Sequence, residues 1–310
     1  MWEGRLKESD RKQNLLNSTL TSVLYSNMTK RIGPLFLGIG GQRCGTTWIF
    51  ECLKEHPQVR VAKEKEIHYF SYWYHKGQEW YEKHYPEVST KLITGEFSTS
   101  YLYDYHAPER VVAYNADTKI IVCLRDPVAR AYSQHKHETR MMTISGKNLD
   151  FKEGLKNNLS YIEHGRYRKY LARWMECIPR TNILVLFYEN IEENPYAFVT
   201  KLYRFCDLEE TYTPRIVEKR VNTSDVAKDI EFYRRVRRLS KQARRAHVGP
   251  VIEWLKSLGV DVALFSEKSE TKINERLGYD NRVKDSLRKR FEKENESLFS
   301  LIGENCSSWG

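Results

Sequence analysis

The stretch of sequence that decides the fold is Gly40-Gly41-Gln42-Arg43-Cys44-Gly45-Thr46-Thr47. It follows the spacing of a phosphate-binding loop, G-x-x-x-x-G-K-[ST], with Gly40 and Gly45 at the two glycine positions and Thr47 at the hydroxyl position. Thr46 stands where such a loop has its lysine, and Arg43 offers a cation from inside the loop. The sequence therefore predicts a phosphate-binding loop that lacks the usual lysine.

The residues on either side of the loop predict a strand before it and a helix after it. An apolar run over residues 35–39 leads in, and apolar residues at helical spacing continue from Thr46 to just before Pro57. Further strands are predicted at 92–96, 119–124 and 182–187, and helices at 78–85, 108–114, after Asp126, at 167–177, up to about 205 and at 281–301. Strands that alternate with helices predict a P-loop-like, three-layer α/β fold with a central parallel sheet flanked by helices. We expect a single domain over residues 34–310, after a polar lead-in over residues 1–33.

The composition favours an anionic ligand. The 310 residues carry 51 Lys and Arg against 41 Asp and Glu, a net charge of +10, and 40% hydrophobic residues supply a core. The six cysteines are scattered singly, which favours buried free thiols over a zinc site or a disulfide framework. No apolar run has the length of a membrane span, and the start lacks an apolar leader, so we expect a cytoplasmic protein.

The loop is expected to bind a phosphate group, because it directs backbone N–H groups and a helix N-terminus toward an anion. Without the lysine that reaches the β- and γ-phosphates, ATP and GTP are poor candidates, and another phosphate-bearing ligand is the better interpretation. The alternative is a glycine-rich turn without a ligand. The two adjacent threonines in the first helical turn favour the binding site.

A second candidate anion site consists of Arg125 and Ser133. Arg125 follows a predicted buried strand, where ligands of open α/β sheets bind, and Ser133 lies two turns into the next helix. A guanidinium and a hydroxyl suit a second, separate phosphate. The residues alone do not choose between this site and an Arg125 that pairs with Asp126 or another carboxylate.

Glu66 and His68 are the candidate acid–base pair. Alternate residues of an extended segment point to the same face, so a carboxylate and an imidazole could converge there to activate a hydroxyl nucleophile. The residues alone favour the alternative, a charged surface run over 63–66 in which His68 is incidental.

Taken together, these motifs resemble the sulfotransferases that use 3′-phosphoadenosine 5′-phosphosulfate (PAPS), in the branch that contains heparan sulfate N- and O-sulfotransferases and many bacterial relatives. The resemblance runs from about Pro34 to Gly303. The matching segments are 40–48, 65–70 with 75–77 and 80–81, 124–133, 165–167, Trp174 and 301–303.

The resemblance implies an enzyme, a sulfotransferase, and a role for each candidate residue. Glu66 falls on the general base, His68 on a supporting catalytic position, and Arg43 on the cation that contacts the sulfuryl group and bridging oxygen. Arg125 and Ser133 fall on the ligands of the 3′-phosphate. The remaining donor-binding residues implied are Cys44, Gly45, Thr46, Thr47 and Trp48, with Lys219 and Arg220 as a candidate closing loop. No metal is implied, and adenosine 3′,5′-bisphosphate is the product.

Two departures from the family pattern leave the acceptor open. Phe97 stands where heparan-type members carry a second catalytic lysine, and Ser71 replaces an acidic residue of some members. Both changes argue against a heparan sulfate substrate. The expected acceptor is a hydroxyl, or an amine, of a small molecule, a sugar or a lipid-like compound, and the oligomeric state is not indicated by the sequence.

Two other functions compete with this interpretation. A small-molecule kinase needs a magnesium-binding acid, for which Asp126 is the only candidate, although it also suits a helix cap beside Pro127. A non-catalytic anion-binding protein makes Glu66 unnecessary, and no aromatic–basic motif indicates a nucleic-acid partner.

His135 and His137 do not share a helix face and predict no metal site. The basic segment over 234–245 is better explained as a solvated helix face than as a docking site.

Overall fold

The computed structural model describes residues 33–85, 92–141, 143–218, 226–227, 266–267 and 277–309. Some sequence predictions lie outside these ranges. They concern the lead-in up to residue 32, the candidate closing loop with Lys219 and Arg220, and the basic segment over 234–245.

A parallel sheet lies at the centre of the chain, as the sequence predicts. Its strands are β1 (Phe36–Gly40), β2 (Val59–Val61), β3 (Ile93–Phe97), β4 (Lys119–Leu124) and β5 (Ile183–Phe187). They are arranged in the order β2-β3-β1-β4-β5, and every neighbouring pair is parallel. A separate antiparallel pair joins β6 (Val226–Ala227) to β7 (Ser266–Glu267).

The described helices connect and cover these strands. They are α1 (Thr46–Glu55), α2 (Gln78–Glu82), α3 (Ala107–Tyr114), α4 (Pro127–Met141), α5 (Phe151–Asn157), α6 (Ser160–Glu163), α7 (Tyr167–Cys177), α8 (Glu189–Glu193), α9 (Pro195–Phe205) and α10 (Asn281–Ile302). The predicted cap of α4 is confirmed, because the backbone N–H of Val128 donates to Asp126 Oδ1 at 3.0 Å.

The core is divided between the two faces of the sheet, because successive strand residues point to opposite sides. Leu37 and Ile120 lie in one buried cluster with side chains from α3, α7 and α10. Phe36 and Ile121 lie in a second cluster, with side chains from α1 and α9. Helix, sheet and helix therefore form the three layers that the alternating sequence pattern predicts.

Strands β1 and β3 contact each other through reciprocal Phe–Gly pairs. Phe36 lies opposite Gly95, and Gly38 lies opposite Phe97. A Cβ atom on Gly38 would stand 1.9 Å from the ring of Phe97, and one on Gly95 would stand 2.2 Å from the ring of Phe36. Each aromatic ring thus fills the space that the glycine on the other strand leaves open.

The strand order places a ligand crevice at the end of β1. The chain passes from β1 to β2 and β3 on one side, and then to β4 on the other side. Ligands of open parallel sheets bind at such a switch point, beyond the carboxyl ends of the strands. The loop after β1, Thr99 after β3 and Arg125 after β4 all lie at this edge.

Besides the two-residue strands β6 and β7, three short elements were not predicted from the sequence. Strand β2 has only three residues, and its central residue Arg60 is exposed, so it shows no apolar run. Helices α5 and α6 have seven and four residues, too few for a clear helical period. The elements that the sequence predicts most closely, β4 and α7, agree with their expected bounds at both ends.

Candidate active site

The loop between β1 and α1 presents the N-terminus of α1 without a side-chain cap. Gly45, the residue before α1, has a left-handed backbone with φ of 79°, and no side chain accepts a hydrogen bond at this helix end. A Cβ atom on Gly45 would stand 2.9 Å from the ring of Tyr188, so glycine is required by both conformation and space. The first N–H groups of α1 are therefore available to an anion.

Arg43 connects this loop to the second predicted anion site. Its Nε donates to Ser133 Oγ at 3.4 Å, although the two residues are 90 positions apart. Arg125 Nη1 in turn donates to the backbone oxygen of Arg43 at 3.4 Å. The structure thus brings together the two motifs that the sequence analysis described separately.

Positive charge is concentrated around Arg43. Burial lowers the pKa of Arg43, and the guanidinium groups of Arg140 and Arg125 lower it further. The guanidinium of Arg125 lies over the ring of Tyr188, with its Cζ 4.2 Å from the ring centre. Within the described ranges, neither Arg43 nor Arg125 forms an ion pair with a carboxylate, so the alternative in which Arg125 pairs with Asp126 or another carboxylate is not observed. Partly buried guanidinium groups without a carboxylate partner are suited to a phosphate.

Other side chains of the loop support it from behind. Cys44 is buried, and burial raises the pKa of its thiol to about 11. Its Sγ lies 3.7 Å from the hydroxyl of Tyr167, which donates to the backbone oxygen of Arg125 at 2.8 Å. Trp48 is also buried, and its Nε1 donates to the backbone oxygen of Ile216 at 3.3 Å. The side chains of Cys44 and Trp48 are therefore not exposed to a ligand, and the backbone N–H of Cys44 already donates to the oxygen of Gly41 at 3.3 Å.

The two threonines of the loop differ in exposure. Thr46 is buried and Thr47 is half-buried, at the first two positions of α1. Thr47 is therefore the more accessible of the two hydroxyl groups that the sequence predicts to bind the donor.

Glu66 is held at the same edge of the sheet, but in a turn rather than in the expected extended segment. Glu66 and His68 have left-handed backbones with φ of 66° and 58°. The Oε2 atom of Glu66 accepts hydrogen bonds from the backbone N–H of Thr99 at 2.7 Å and from its hydroxyl at 3.1 Å. The expectation of a strand-like alternation was wrong, because two non-glycine residues adopt a conformation that ordinary sequence patterns do not indicate.

His68 nevertheless lies beside Glu66, as the sequence predicts. Its Nε2 is 3.7 Å from Glu66 Oε2, and its Nδ1 is 2.7 Å from Ser100 Oγ. Burial lowers the pKa of His68, and the nearby carboxylate of Glu66 opposes this only in part. The lowered pKa favours the neutral form of His68, while the ammonium of Lys65 contacts the other carboxylate oxygen of Glu66.

Thr99 connects the Glu66 turn to the phosphate loop. While its N–H and hydroxyl hold Glu66, its backbone oxygen lies 3.4 Å from the position of a Cβ atom on Gly40. Gly40 ends β1, immediately before the loop. The candidate base and the candidate anion site are thus built on neighbouring strands.

The two departures from the family pattern have clear structural positions. The ring of Phe97 is fully buried, 6.4 Å from that of Phe36 and 6.0 Å from that of Phe50, on the face of the sheet opposite to the neighbouring Glu96. Ser71 is buried, and its hydroxyl lies 2.6 Å from that of Ser100. Phe97 is a core residue, and Ser71 belongs to the hydrogen bonds around His68.

Sequence reasoning missed three residues of this site. Arg140 lies seven positions after Ser133 on α4, a helical spacing that places both on one face and could have indicated it. Tyr188 and Thr99 follow the ends of β5 and β3. In the sequence, only their location just after a predicted strand could have indicated these two residues. The end of β3 was predicted one residue too early.

No metal site accompanies these residues in the described part of the chain. Among residues 33–85, 92–141, 143–218 and 277–309, no three His, Cys, Asp or Glu side chains are grouped as metal ligands. His135 instead contacts the hydroxyl of Tyr161 at 3.1 Å and the backbone oxygen of Leu149 at 3.0 Å. All six cysteines are free; four are buried, as predicted, and Cys177 and Cys306 are half-buried. None of the described helices has the length and apolar character needed to cross a membrane.

A parallel sheet with a glycine-rich loop and an uncapped helix N-terminus after its central strand places the chain in the P-loop-like α/β class. A sequence model of the sulfotransferase domain matches residues 36–257, more than half of the chain. The chain therefore belongs to the sulfotransferase family, as the motifs indicated.

Individual relatives agree with this assignment. Heparan sulfate glucosamine 3-O-sulfotransferase 3B1 of Mus musculus is 32% identical over 200 residues, which cover 63% of this chain and 51% of that protein. Heparan sulfate glucosamine 3-O-sulfotransferase 6 of Homo sapiens is 32% identical over 198 residues, 62% of this chain and 57% of that protein. The chain thus spans about half the length of the curated relatives it matches.

The fold is also that of a solved sulfotransferase. The crystal structure of a sulfotransferase from Alicyclobacillus acidocaldarius superposes with a TM-score of 0.63 at 18% identity, covering 89% of this chain and 98% of the other. At this identity the similarity concerns the fold alone.

Proposed function

We propose that this protein transfers a sulfuryl group from PAPS to a hydroxyl group of a carbohydrate acceptor. The observation that carries the proposal is the contact of Arg43 with Ser133 and Arg125, which joins two anion sites, beside a carboxylate that Thr99 holds at the neighbouring strand. Family membership supports it. The loop over residues 40–47, Arg125 and Ser133 are termed the donor side below, and Glu66, His68 and the exposed aromatic residues 72–74 the acceptor side.

The donor side suits a ligand with two separate phosphate groups. The amides of residues 45–47 and the guanidinium of Arg43 would hold the 5′-phosphosulfate, and Arg125 with Ser133 would hold the 3′-phosphate. The contact of 3.4 Å between Arg43 Nε and Ser133 Oγ supports this division, because residues assigned to the two phosphate groups lie beside each other. Lys219 and Arg220, outside the described residues, remain candidates for closing over the donor.

The reaction would be an in-line displacement at sulfur. The acceptor oxygen forms a bond to sulfur, the bond between sulfur and the bridging phosphate oxygen breaks, and the acceptor proton passes to Glu66. Adenosine 3′,5′-bisphosphate leaves with the electron pair, and Arg43 and the loop amides stabilise its growing negative charge. A neutral His68 beside Glu66 adds no positive charge that would weaken the base. Proton transfer from oxygen to a positioned carboxylate contributes about 10²- to 10⁴-fold in such reactions.

The acceptor side is aromatic. Tyr72, Trp73 and Tyr74 are 63%, 41% and 39% exposed, and the ring of Tyr72 lies 5.2 Å from that of His68. The ammonium of Lys76 lies over the rings of Trp73 and Trp80, at 4.7 Å from each. Exposed aromatic faces beside a base can stack on the C–H face of a sugar ring. The names of the matched relatives, which act on heparan sulfate glucosamine, support a carbohydrate acceptor.

Transfer of labelled sulfate tests the assignment of the base. With ³⁵S-labelled PAPS and a panel of glycoside acceptors, Glu66→Gln is expected to lower kcat about 100-fold or more, with an unchanged affinity for adenosine 3′,5′-bisphosphate. Glu64→Gln is the matched control, because Glu64 is a carboxylate two positions away whose side chain is 74% exposed. Near-normal transfer by Glu66→Gln would refute its role as the base.

A thermal-shift comparison distinguishes the proposal from a kinase. Adenosine 3′,5′-bisphosphate without magnesium is expected to raise the Tm, since the donor side consists of amides and guanidinium groups. A response only to Mg-ATP would contradict the proposal. The kinase alternative is weakened by Asp126, whose Oδ1 already accepts the hydrogen bond that caps α4.

A further inference from the structure

A second carboxylate, Glu96, lies beneath the candidate base without any solvent exposure. Three hydroxyl groups surround it. Tyr101 and Tyr81 donate to Oε1 at 2.5 and 3.1 Å, and Ser98 donates to Oε2 at 2.7 Å. A buried carboxylate needs such partners, because leaving water is unfavourable unless hydrogen bonds within the protein replace those to water.

The hydrogen bonds of Glu96 continue into the turn that carries the candidate base. The Oγ of Ser98, which donates to Glu96, accepts the backbone N–H of His68 at 2.9 Å. The backbone N–H of Glu66 donates to the oxygen of Phe97 at 2.8 Å. The residues from 96 to 99 thus bind the Glu66 turn through both backbone and side-chain atoms.

The turn needs such support because of its backbone conformation. Glu66 and His68 both have a left-handed φ, which is unfavourable for a non-glycine residue. Conformations of this kind persist only where surrounding contacts fix them. The bond from His68 N–H to Ser98 is one such contact at the second left-handed residue, and Glu96 orients the hydroxyl that accepts it.

We propose that Glu96 is a positioning residue that acts through Ser98, holding the turn in which Glu66 and His68 face the acceptor. This inference rests on the proposed function, in which Glu66 is the base. Glu96 itself lies behind the site and does not contact substrate.

The groups that face Glu96 favour its ionised form only in part. Burial raises the pKa of Glu96 to about 7, the hydrogen bonds from Tyr101, Ser98 and Tyr81 oppose this rise, and the charge of Glu66 adds to it. Tyr85 is linked to Glu96 through Tyr81, because the hydroxyl groups of the two tyrosines lie 2.8 Å apart. A protonated Glu96 has one O–H donor and still accepts hydrogen bonds, so its new proton finds an acceptor only if one of the three hydroxyl groups rotates. Ser98 is the hydroxyl that contacts Oε2, so a proton on that oxygen reverses the direction of the Ser98 bond, and Ser98 donates to Glu96 when Glu96 is ionised.

Two substitutions and a matched control test the inference. Glu96→Gln and Ser98→Ala are expected to lower kcat about 10- to 100-fold, the range that a misplacement of roughly 1 Å causes, while KM for PAPS stays within about twofold. In Tyr114→Phe, a tyrosine of the same aromatic cluster loses its bond to Glu82, at 3.1 Å, without touching Glu96, and kcat is expected to persist. The wild-type kcat should fall below about pH 7 through Glu96, and Glu96→Gln should lack that part of the profile.

A measurement that does not depend on transfer separates this inference from the proposed function. The pKa of His68, followed by NMR of the imidazole, is below its ordinary value in the wild type and should rise toward that value when the turn loosens in either variant. Folded variants in which both kcat and the pKa of His68 match the wild type would overturn the inference. If Glu96→Gln fails to fold, Ser98→Ala decides, since it removes a single hydroxyl. A wild type without any transfer would sink the proposed function, and the His68 titration would still test the positioning.

Discussion

The donor side and the acceptor side of this site are built in different ways. The donor side uses regular elements: a strand end, the uncapped N-terminus of α1, Arg125 immediately after β4, and Ser133 two turns into α4. The acceptor side depends on a left-handed turn that buried hydrogen bonds from residues 96–99 hold in place. The donor side can therefore be recognised from local spacing, whereas the acceptor side depends on contacts between distant parts of the chain.

The largest expected effect tests Arg43, the cation that joins the two anion sites of the donor side. Arg43→Ala should lower kcat/KM about 100- to 1,000-fold, because the charge on the departing phosphate loses its main partner. Arg43→Lys should retain more activity, since it keeps a cation in the loop. Steady-state transfer of labelled sulfate measures both, and Arg60→Ala, an exposed arginine of β2, is the control. Equal activity of Arg43→Ala and Arg60→Ala would contradict the role of Arg43.

The buried carboxylate behind the acceptor side should make stability depend on pH. Burial raises the pKa of Glu96 from 4.5 to about 7, so the native state holds this proton where the unfolded chain has released it. The contribution of Glu96 to stability is therefore highest below pH 4.5, declines as the pH rises toward 7 and is constant above. The change amounts to about 3 kcal/mol.

Urea unfolding at pH 5 and pH 8 measures this decline. The difference between the two pH values should be larger in the wild type than in Glu96→Gln, which carries no ionisable group at this position. An equal difference in both proteins would show that Glu96 does not titrate in this range.

Loss of the second anion site should weaken donor binding without affecting the base. Arg125→Ala is expected to lower the affinity for adenosine 3′,5′-bisphosphate about 10- to 100-fold, since hydrogen bonds to charged groups contribute about 1.5–3 kcal/mol. Arg125→Lys should recover only part of it, because an ammonium lacks the planar stacking on Tyr188. Isothermal titration calorimetry measures these affinities. An unchanged affinity in Arg125→Ala would show that Arg125 does not bind the donor.

The smallest expected effect concerns acceptor binding. Tyr72→Ala should raise KM for a glycoside acceptor about 3- to 10-fold, the value of one stacked aromatic contact, and leave KM for PAPS unchanged. Tyr196→Ala, an exposed tyrosine on α9, provides the control. A parallel rise of both KM values in Tyr72→Ala would place this ring in a general structural role instead.

The same contrast explains how much the sequence could predict. The apolar run of β4 and the periodic pattern of α7 gave their bounds correctly, and the loop spacing located the donor side. The pairing of Arg43 with Ser133 was not predictable, because 90 residues separate them and only the order of the strands joins them. The left-handed backbone conformation of Glu66 was missed because no glycine marks it. Thr99 was missed because its contact with Glu66 spans 33 residues.

The reciprocal Phe–Gly pairs of β1 and β3 constrain how this sequence can evolve. Phe97 fills the space above Gly38, and Phe36 the space above Gly95, so a substitution at one position is tolerated only with a change at its partner. A lysine at position 97 would bring an ammonium into a fully buried core, at a site shaped for a ring. An evolutionary path that places a cation at position 97 must pass through coupled changes on both strands, which makes the present pairing an epistatic barrier to lysine at this position.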